Sequence, residues 1–197
     1  MTLMAAAMPL DTPEAGQSTI AAARSGDLAA FELLMRQHER LVLATALRLT
    51  GNMEDAKDIS QEVFLKLYRN LAKVEAPVAL PAWLYRVTVN ACHDLRRRRP
   101  AFAPVEMAEE LVAAGGDPQA SATEAERRRV LELSLRLLPE KERAALVLRD
   151  LEGLTTEETA RVLGSSEATV RSQISKARTK VHDFVERYFS PRKGGRV

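Results

Sequence analysis

Residues 155–180 constrain the fold of this 197-residue chain most, because they read as two helices joined by a tight turn. Thr155 and Glu158 have the spacing of a capping box, which starts a helix. Gly164 can supply the left-handed residue that ends this helix, and Ser166 can cap the next one. The pattern predicts a helix-turn-helix.

The second helix of this motif has a polar, basic outer face. Val170 and Ile174, four residues apart, predict its inward stripe. A helix of this kind fits the DNA major groove, where such side chains reach base edges and phosphates. An ordinary helical hairpin with a solvated face is the alternative, but the basic second helix favours DNA binding. The outward residues are Thr169, Arg171, Ser172, Gln173, Ser175, Lys176 and Arg178.

Charge is distributed unevenly along the chain, although the net charge is only +2. Four consecutive arginines, Arg96, Arg97, Arg98 and Arg99, precede Pro100. Residues 104–126 hold six carboxylates and no Lys or Arg. This uneven distribution is more informative than the net charge.

Composition excludes several classes of protein. Cys92 is the only cysteine, so an internal disulfide is impossible and a reducing, cytoplasmic location is expected. No Lys or Arg precedes Arg24, and no apolar run is long enough to span a membrane, so neither a signal peptide nor membrane insertion is predicted.

The sequence contains no pattern typical of an enzyme. We find no phosphate-binding glycine loop and no nucleophile constellation, and His38, His93 and His182 are widely scattered. A protein without catalytic residues, metal or other cofactor is therefore predicted.

Hydrophobic periodicity predicts an all-α chain of two small domains. The first, residues 18–100, has a helix that ends at Gly51-Asn52, a second over 53–71 and a third over 82–99. The second, residues 123–190, contains the helix-turn-helix. Residues 101–122 are expected to be an acidic flexible linker, and 1–17 and 191–197 disordered tails.

Three segments in this order resemble the extracytoplasmic-function (ECF) sigma factors of the sigma-70 family. Residues 52–71, NMEDAKDISQEVFLKLYRNL, resemble region 2.2. Residues 83–99, WLYRVTVNACHDLRRRR, resemble regions 2.3 and 2.4. Residues 138–180, which begin LPEKER and end SKARTK, resemble region 4. The resemblance implies an alternative sigma factor.

The resemblance also implies a surface for core RNA polymerase on the helix over 53–71. Its residues would lie on or beside the face that meets the clamp helices of the β′ subunit, while region 4 would meet the β flap. The alternative for these carboxylates is simple helix N-terminal charge. The implied residues are Asp55, Asp58, Gln61, Glu62 and Phe64.

Two DNA sites follow from the same resemblance. Residues 72–81 would capture a base flipped from the −10 element, and Trp83, Arg86, Asn90 and Arg96–Arg99 would line the melted strand. Trp83 has the alternative role of a core anchor. The −35 element would be met by Arg143, Thr169, Arg171, Ser172, Ser175, Lys176 and Arg178.

Two positions depart from the family pattern. Thr159 stands where Ile is usual, and Ser165 stands where a hydrophobic residue usually follows Gly164. Both are expected to weaken the small core of the helix-turn-helix, since a buried hydroxyl needs a partner.

The predicted function is promoter recognition and melting as part of polymerase, with an anti-sigma factor as a further partner. The acidic linker would thread a basic channel of the polymerase, or act as a solvated spacer. Two domains on such a linker predict a free chain that is extended or dynamic about residues 104–122. The alternatives are a sigma mimic that sequesters an anti-sigma factor and a plain helix-turn-helix regulator.

Overall fold

The computed structural model describes residues 13–73, 79–98 and 124–190. All regular structure in these ranges is helical, as the sequence predicts. The expected linker, the tail 191–197 and residues 1–12 lie outside the described residues, and so do Arg99 and residues 74–78.

Four helices form the N-terminal domain. They are α1 (Pro13–Arg24), α2 (Leu28–Thr50), α3 (Met53–Asn70) and α4 (Ala79–Arg98), with a 3₁₀ turn after α3 at Leu71–Lys73. α1 begins at Pro13 rather than near Ser18, and α4 begins before the expected Ala82. Pro13 and Pro81 lie in first helical turns, where the missing N–H is not needed. Each proline therefore lies inside its helix, whereas the periodicity predicted that the helix would begin after the proline.

Gly51 and Asn52 end α2 and start α3. Gly51 has φ +70°, and its N–H donates to the Leu47 carbonyl at 2.7 Å. The Asn52 side chain accepts from the N–H groups of Glu54 at 2.9 Å and Asp55 at 3.1 Å. A left-handed cap followed at once by an N-cap reverses the chain, so α3 packs back along α2.

Four further helices form the C-terminal domain. They are α5 (Glu124–Leu137), α6 (Glu140–Leu146), α7 (Thr156–Leu163) and α8 (Glu167–Phe189), with a π-type turn at Val147–Leu151. The predicted capping box at α7 is present: the Thr155 N–H donates to Glu158 at 2.7 Å, and the Thr155 hydroxyl accepts from the Glu158 N–H at 3.1 Å. Gly164 has φ +59°. The predicted helix-turn-helix is confirmed.

α8 continues well beyond the helix-turn-helix. Its last turns carry Phe184 and Tyr188, which pack with Val130 of α5 in a second apolar cluster. The Tyr188 hydroxyl donates to Glu126 at 2.6 Å. These contacts hold the start of α5 against the end of α8.

The two departures from the family pattern are accommodated. Thr159 is completely buried, and its hydroxyl donates to the Thr155 carbonyl at 2.8 Å. The buried hydroxyl of Thr159 therefore has the partner that it needs. Ser165 is half-buried, and its N–H closes the turn onto the Ala160 carbonyl at 3.0 Å.

The two domains pack against each other rather than standing apart. α2 contacts α5 and the π-type turn, and α4 contacts α7. Buried apolar side chains of both domains belong to one cluster, from Val42 and Leu84 to Val147 and Ala160. The structure therefore describes a closed arrangement, which differs from the predicted extended chain.

Candidate nucleic-acid interface

The second helix of the helix-turn-helix, α8, presents the face that the sequence predicts. Val170, Ile174 and Ala177 are buried, which turns the opposite side outward. Ser166 caps the helix by accepting from the Thr169 N–H at 3.1 Å. The exposed residues are Thr169, Arg171, Ser172, Ser175, Lys176 and Arg178, whereas Gln173 is half-buried.

Two arginines of this face are held by carboxylates of their own domain. Arg171 pairs with Glu167 one turn earlier at 2.5 Å. Arg178 donates to both oxygens of Asp150 at 2.8 Å, and these bonds raise the pKa of Arg178. Arg178 is fixed in direction, and any other anion must compete with Asp150 for it.

Arg143 does not share this face. Only 5% of Arg143 is exposed, and its guanidinium donates to the carbonyls of Leu49 at 2.7 Å, Arg136 at 2.6 Å and Leu138 at 3.1 Å. Burial, followed by the nearby charge of Arg96, lowers the pKa of Arg143 to about 10. In this arrangement Arg143 joins the two domains and cannot contact DNA, contrary to its predicted place at the −35 element.

The predicted −10 residues lie along α4. Trp83 is half-buried and packs against the core, while Asn90, Arg96, Arg97 and Arg98 are exposed. Arg86 is exposed but donates to the Arg161 carbonyl of the C-terminal domain at 2.6 Å. Arg99 and residues 74–78 of the loop 72–81 lie outside the described residues. The structure thus places a row of polar and basic side chains on one helix, with Arg86 engaged elsewhere.

The predicted polymerase surface on α3 is only partly exposed. Asp58, Gln61 and Glu62 face outward, but Asp55 is 8% and Phe64 5% exposed. Phe64 packs in the core of the domain, so the two buried residues lie beside the outward face rather than on it.

Two residues missed by the sequence analysis extend this surface. Leu65 and Tyr68 of α3 are 50% and 53% exposed, and follow Glu62 at helical spacing. The sequence did contain a signal for this apolar surface, because large apolar residues occur outside the buried stripe of the helix. The exposed face of α3 therefore combines carboxylates with apolar side chains.

The sequence also did not predict a polar contact between the two domains. Arg48 of α2 forms a salt bridge with Glu152, which follows the π-type turn, and the Tyr85 hydroxyl of α4 donates to the same carboxylate at 3.3 Å. Burial, followed by the Glu152 charge, raises the pKa of Tyr85. We call Arg48, Tyr85, Arg143 and Glu152 the interdomain clasp.

The described part of the chain offers no group of His, Cys, Asp and Glu side chains able to hold a metal ion. Among the same residues, no helix combines the length and apolar character needed to cross a bilayer.

Comparison with known proteins agrees with this architecture. The family model for sigma-70 region 2 matches residues 34–101, and that for sigma-70 region 4 matches residues 128–181. These matches cover the helices that carry the −10, polymerase and −35 candidates.

Curated relatives and solved structures lead to the same family. The chain is 34% identical to the ECF RNA polymerase sigma factor SigE of Mycolicibacterium smegmatis, over 84% of this chain and 66% of the relative. It is 33% identical to the RNA polymerase sigma-H factor of Pseudomonas aeruginosa, over 86% of this chain and 93% of the relative.

The solved structure of CnrH in complex with the cytosolic domain of CnrY matches with a TM-score of 0.63 and 27% identity, over 87% of this chain and 97% of that one. RpoE of Bartonella quintana, solved with the anti-sigma factor NepR, shares the fold with a TM-score of 0.57 and 21% identity, over 77% of this chain and 96% of that one. The succession of both regions in one chain, with relatives of this identity along most of its length, places the protein in the ECF sigma factors of the sigma-70 family.

Proposed function

We propose that this chain is an alternative sigma factor that binds core RNA polymerase, directs it to promoters and promotes DNA melting. The observation that carries this proposal is the exposed basic face of α8, built on a capped helix-turn-helix in a member of the ECF family. The chain itself performs no covalent chemistry and acts in the cytoplasm.

The −35 element is the duplex site of the proposed function. α8 enters the major groove, where Arg171 and Lys176 reach base edges or phosphates and Ser172 and Ser175 contribute hydrogen bonds. Arg178 exchanges Asp150 for a phosphate. Together these residues position the C-terminal domain on DNA.

The −10 element is the single-stranded site. Arg96, Arg97 and Arg98 neutralise backbone phosphates, while Asn90 reads a base edge. The exposed part of Trp83 stacks on an unpaired base, because an aromatic face binds every base type. Strand separation is favoured because the open strand is bound at α4 and the duplex is not.

Core polymerase contacts both domains. The outward face of α3, with Asp58, Gln61, Glu62, Leu65 and Tyr68, meets the β′ clamp helices, and the C-terminal domain meets the β flap. The chain is held inactive by an anti-sigma factor. The complex of CnrH with a domain of a second protein supports such a partner.

Run-off transcription with purified core polymerase tests the proposal. We expect specific transcripts only when the chain is added. The double variant Asp58→Lys, Glu62→Lys should bind core polymerase weakly, whereas the matched double variant Glu32→Lys, Glu39→Lys on exposed α2 positions should bind normally. A chain that binds an anti-sigma factor but never supports transcription is a mimic, and one that binds DNA without polymerase is a plain regulator.

A further inference from the structure

Arg178 lies at the far end of the exposed basic face of α8. It follows Arg171 by seven residues and Ser175 by three, so these side chains leave the helix on the same side. Along the helix axis, Arg178 stands about 10 Å beyond Arg171. The major groove is about 12 Å wide, so a helix that brings Arg171 to base edges brings Arg178 near the rim of the groove, where the phosphates lie.

Asp150 binds Arg178 in the way that a phosphate would. The Nε and Nη2 atoms of Arg178 donate to the two carboxylate oxygens of Asp150, each at 2.8 Å. A guanidinium group binds carboxylates and phosphates through the same fork of parallel N–H donors. A phosphate therefore reaches this pair of donors only after Asp150 has left them. A phosphate at the remaining donors still meets the negative charge of Asp150.

This ion pair depends on the tertiary fold. Asp150 belongs to the π-type turn at Val147–Leu151 and is separated from Arg178 by 28 positions in the sequence. Its side chain is 24% exposed, against 61% for that of Arg178, so the carboxylate is the less hydrated partner. The pair of Arg171 with Glu167, by contrast, lies within one helix on the open surface. The fold thus supplies one carboxylate from outside α8 to the basic face.

A second ion pair on α8 allows a comparison. The Lys180 Nζ atom donates to both carboxylate oxygens of Glu142 on α6, at 3.0 and 2.8 Å. Lys180 follows Arg178 by two residues, so its side chain leaves the helix about 200° away from that of Arg178. The two carboxylates therefore neutralise cations on different sides of α8, and only Asp150 does so on the face that the proposed function assigns to DNA.

We propose that Asp150 limits the affinity of α8 for DNA by competing with a backbone phosphate for Arg178. This inference rests on the proposed function, since it takes α8 as the helix that binds duplex DNA. Phosphate contacts add affinity in any sequence, whereas contacts to base edges distinguish one sequence from another. By opposing one phosphate contact, Asp150 leaves a larger share of the binding free energy to base reading.

The first test measures binding of duplex DNA by the full chain. The probe is a fluorescein-labelled duplex of arbitrary sequence, followed by anisotropy at several salt concentrations. We expect Asp150→Asn to bind it about fivefold more tightly than the parent at about 0.1 M salt, because the ion pair no longer opposes binding. The log–log salt dependence should become steeper by roughly 0.9, the value for one phosphate contact. Asp150→Ser should give the same gains even if Asp150→Asn disturbs the turn.

Two controls make this test specific to the ion pair. Glu142→Gln, the matched control, removes the same charge from the Lys180 pair and should change the affinity by less than about twofold. Arg178→Ala should weaken DNA binding more in the Asp150→Asn chain than in the parent, because only there does Arg178 bind phosphate without a competitor.

Three outcomes would overturn the proposal. The first is unchanged or weaker DNA binding by both Asp150 variants, which is the result expected if the carboxylate only stabilises the fold. The second is an equal gain in Glu142→Gln, which would indicate an effect of net charge alone. The third is an equal loss from Arg178→Ala in both backgrounds, which would show that Asp150 does not act through Arg178.

The second test uses the holoenzyme on a promoter that it transcribes. We expect its closed complex to persist to a higher salt concentration with Asp150→Asn than with the parent chain. Equal resistance to salt would refute the role of Asp150 at the promoter. A parent chain that gives no transcript would refute the proposed function instead, and the anisotropy measurement would still decide whether Asp150 competes for Arg178.

Discussion

Cys92 lies on the buried side of α4, with 5% of its surface exposed. Burial raises the pKa of its thiol to about 12, against a smaller opposing effect of Arg143. Since only the thiolate reacts rapidly, both access and ionisation protect this side chain.

We therefore expect the Cys92 thiol to react with a disulfide reagent at pH 8 at least about a hundredfold more slowly in the folded chain than in urea. The contribution of the neutral buried thiol to stability is complete below the ordinary pKa of 9.0 and is lost as pH rises toward 12. The absorbance of the thiol that the reagent releases measures the rate of this reaction, and no other cysteine contributes. Similar rates in the folded and unfolded chains would contradict the burial described.

Individual residues show where sequence reasoning reached its limit. The outward face of α8 was predictable because Val170 and Ile174 fix the side of the helix that is buried. Arg143 was not, because it lies at the inner side of α6 beside Ala144 and its partners are backbone carbonyls. Carbonyls have no sequence signature, so the partners of a buried cation emerge only from the fold.

At the scale of single elements, the capping box of α7 has a measurable pH dependence. The pKa of Glu158 is lowered, first by its bond with the Thr155 backbone N–H and then by the Thr155 side chain. A lowered carboxyl pKa means that the ionised form stabilises the folded state, an effect present above the ordinary value of 4.5 and lost as pH falls through the folded value.

We expect the parent chain to have a higher Tm than Glu158→Gln at pH 7, and this difference should shrink on acidification below about pH 4.5. Glutamine keeps the acceptor oxygen but not the charge, so the difference in Tm between the two chains reports the effect of the Glu158 charge. Thermal unfolding followed by circular dichroism measures it. The neighbouring Glu157→Gln, which makes no cap contact, is the control, and a Tm difference that does not vary with pH would contradict the prediction.

The roles proposed for α4 and α8 predict different consequences of mutation. Arg171→Ala should reduce selectivity for the −35 sequence, because a lost bidentate base contact costs about 1–3 kcal/mol. The double variant Arg97→Ala, Arg98→Ala should weaken binding to all sequences and flatten the log–log salt dependence by roughly 0.7–0.9 per phosphate contact.

A holoenzyme assay that scores closed-complex binding and permanganate-detected melting separately distinguishes these effects. Changes at Trp83 or Asn90 should impair melting most. Arg187→Ala, on the exposed far end of α8, is the control for Arg171→Ala. If Arg171→Ala melts DNA poorly but binds the −35 element normally, the assigned roles are wrong.

At the scale of the whole molecule, helix positions and the order of the domains followed from periodicity and caps. The contact between the domains did not. It depends on Arg48, Tyr85 and Glu152, which are ordinary surface residue types far apart in sequence, and on helix-end carbonyls at Leu49 and Gly51. Local patterns determine helices, whereas the relative placement of two small domains depends on surface complementarity that a single sequence does not display.

The packing of Phe184 and Tyr188 against Val130 has a mechanical consequence. α8 is a single rod of about 35 Å, with the exposed basic side chains at one end and the start of α5 fastened to the other. The segment that arrives from the N-terminal domain enters the C-terminal domain at this fastened end. Tension along that segment therefore acts on a lever whose opposite arm carries the side chains proposed to read DNA.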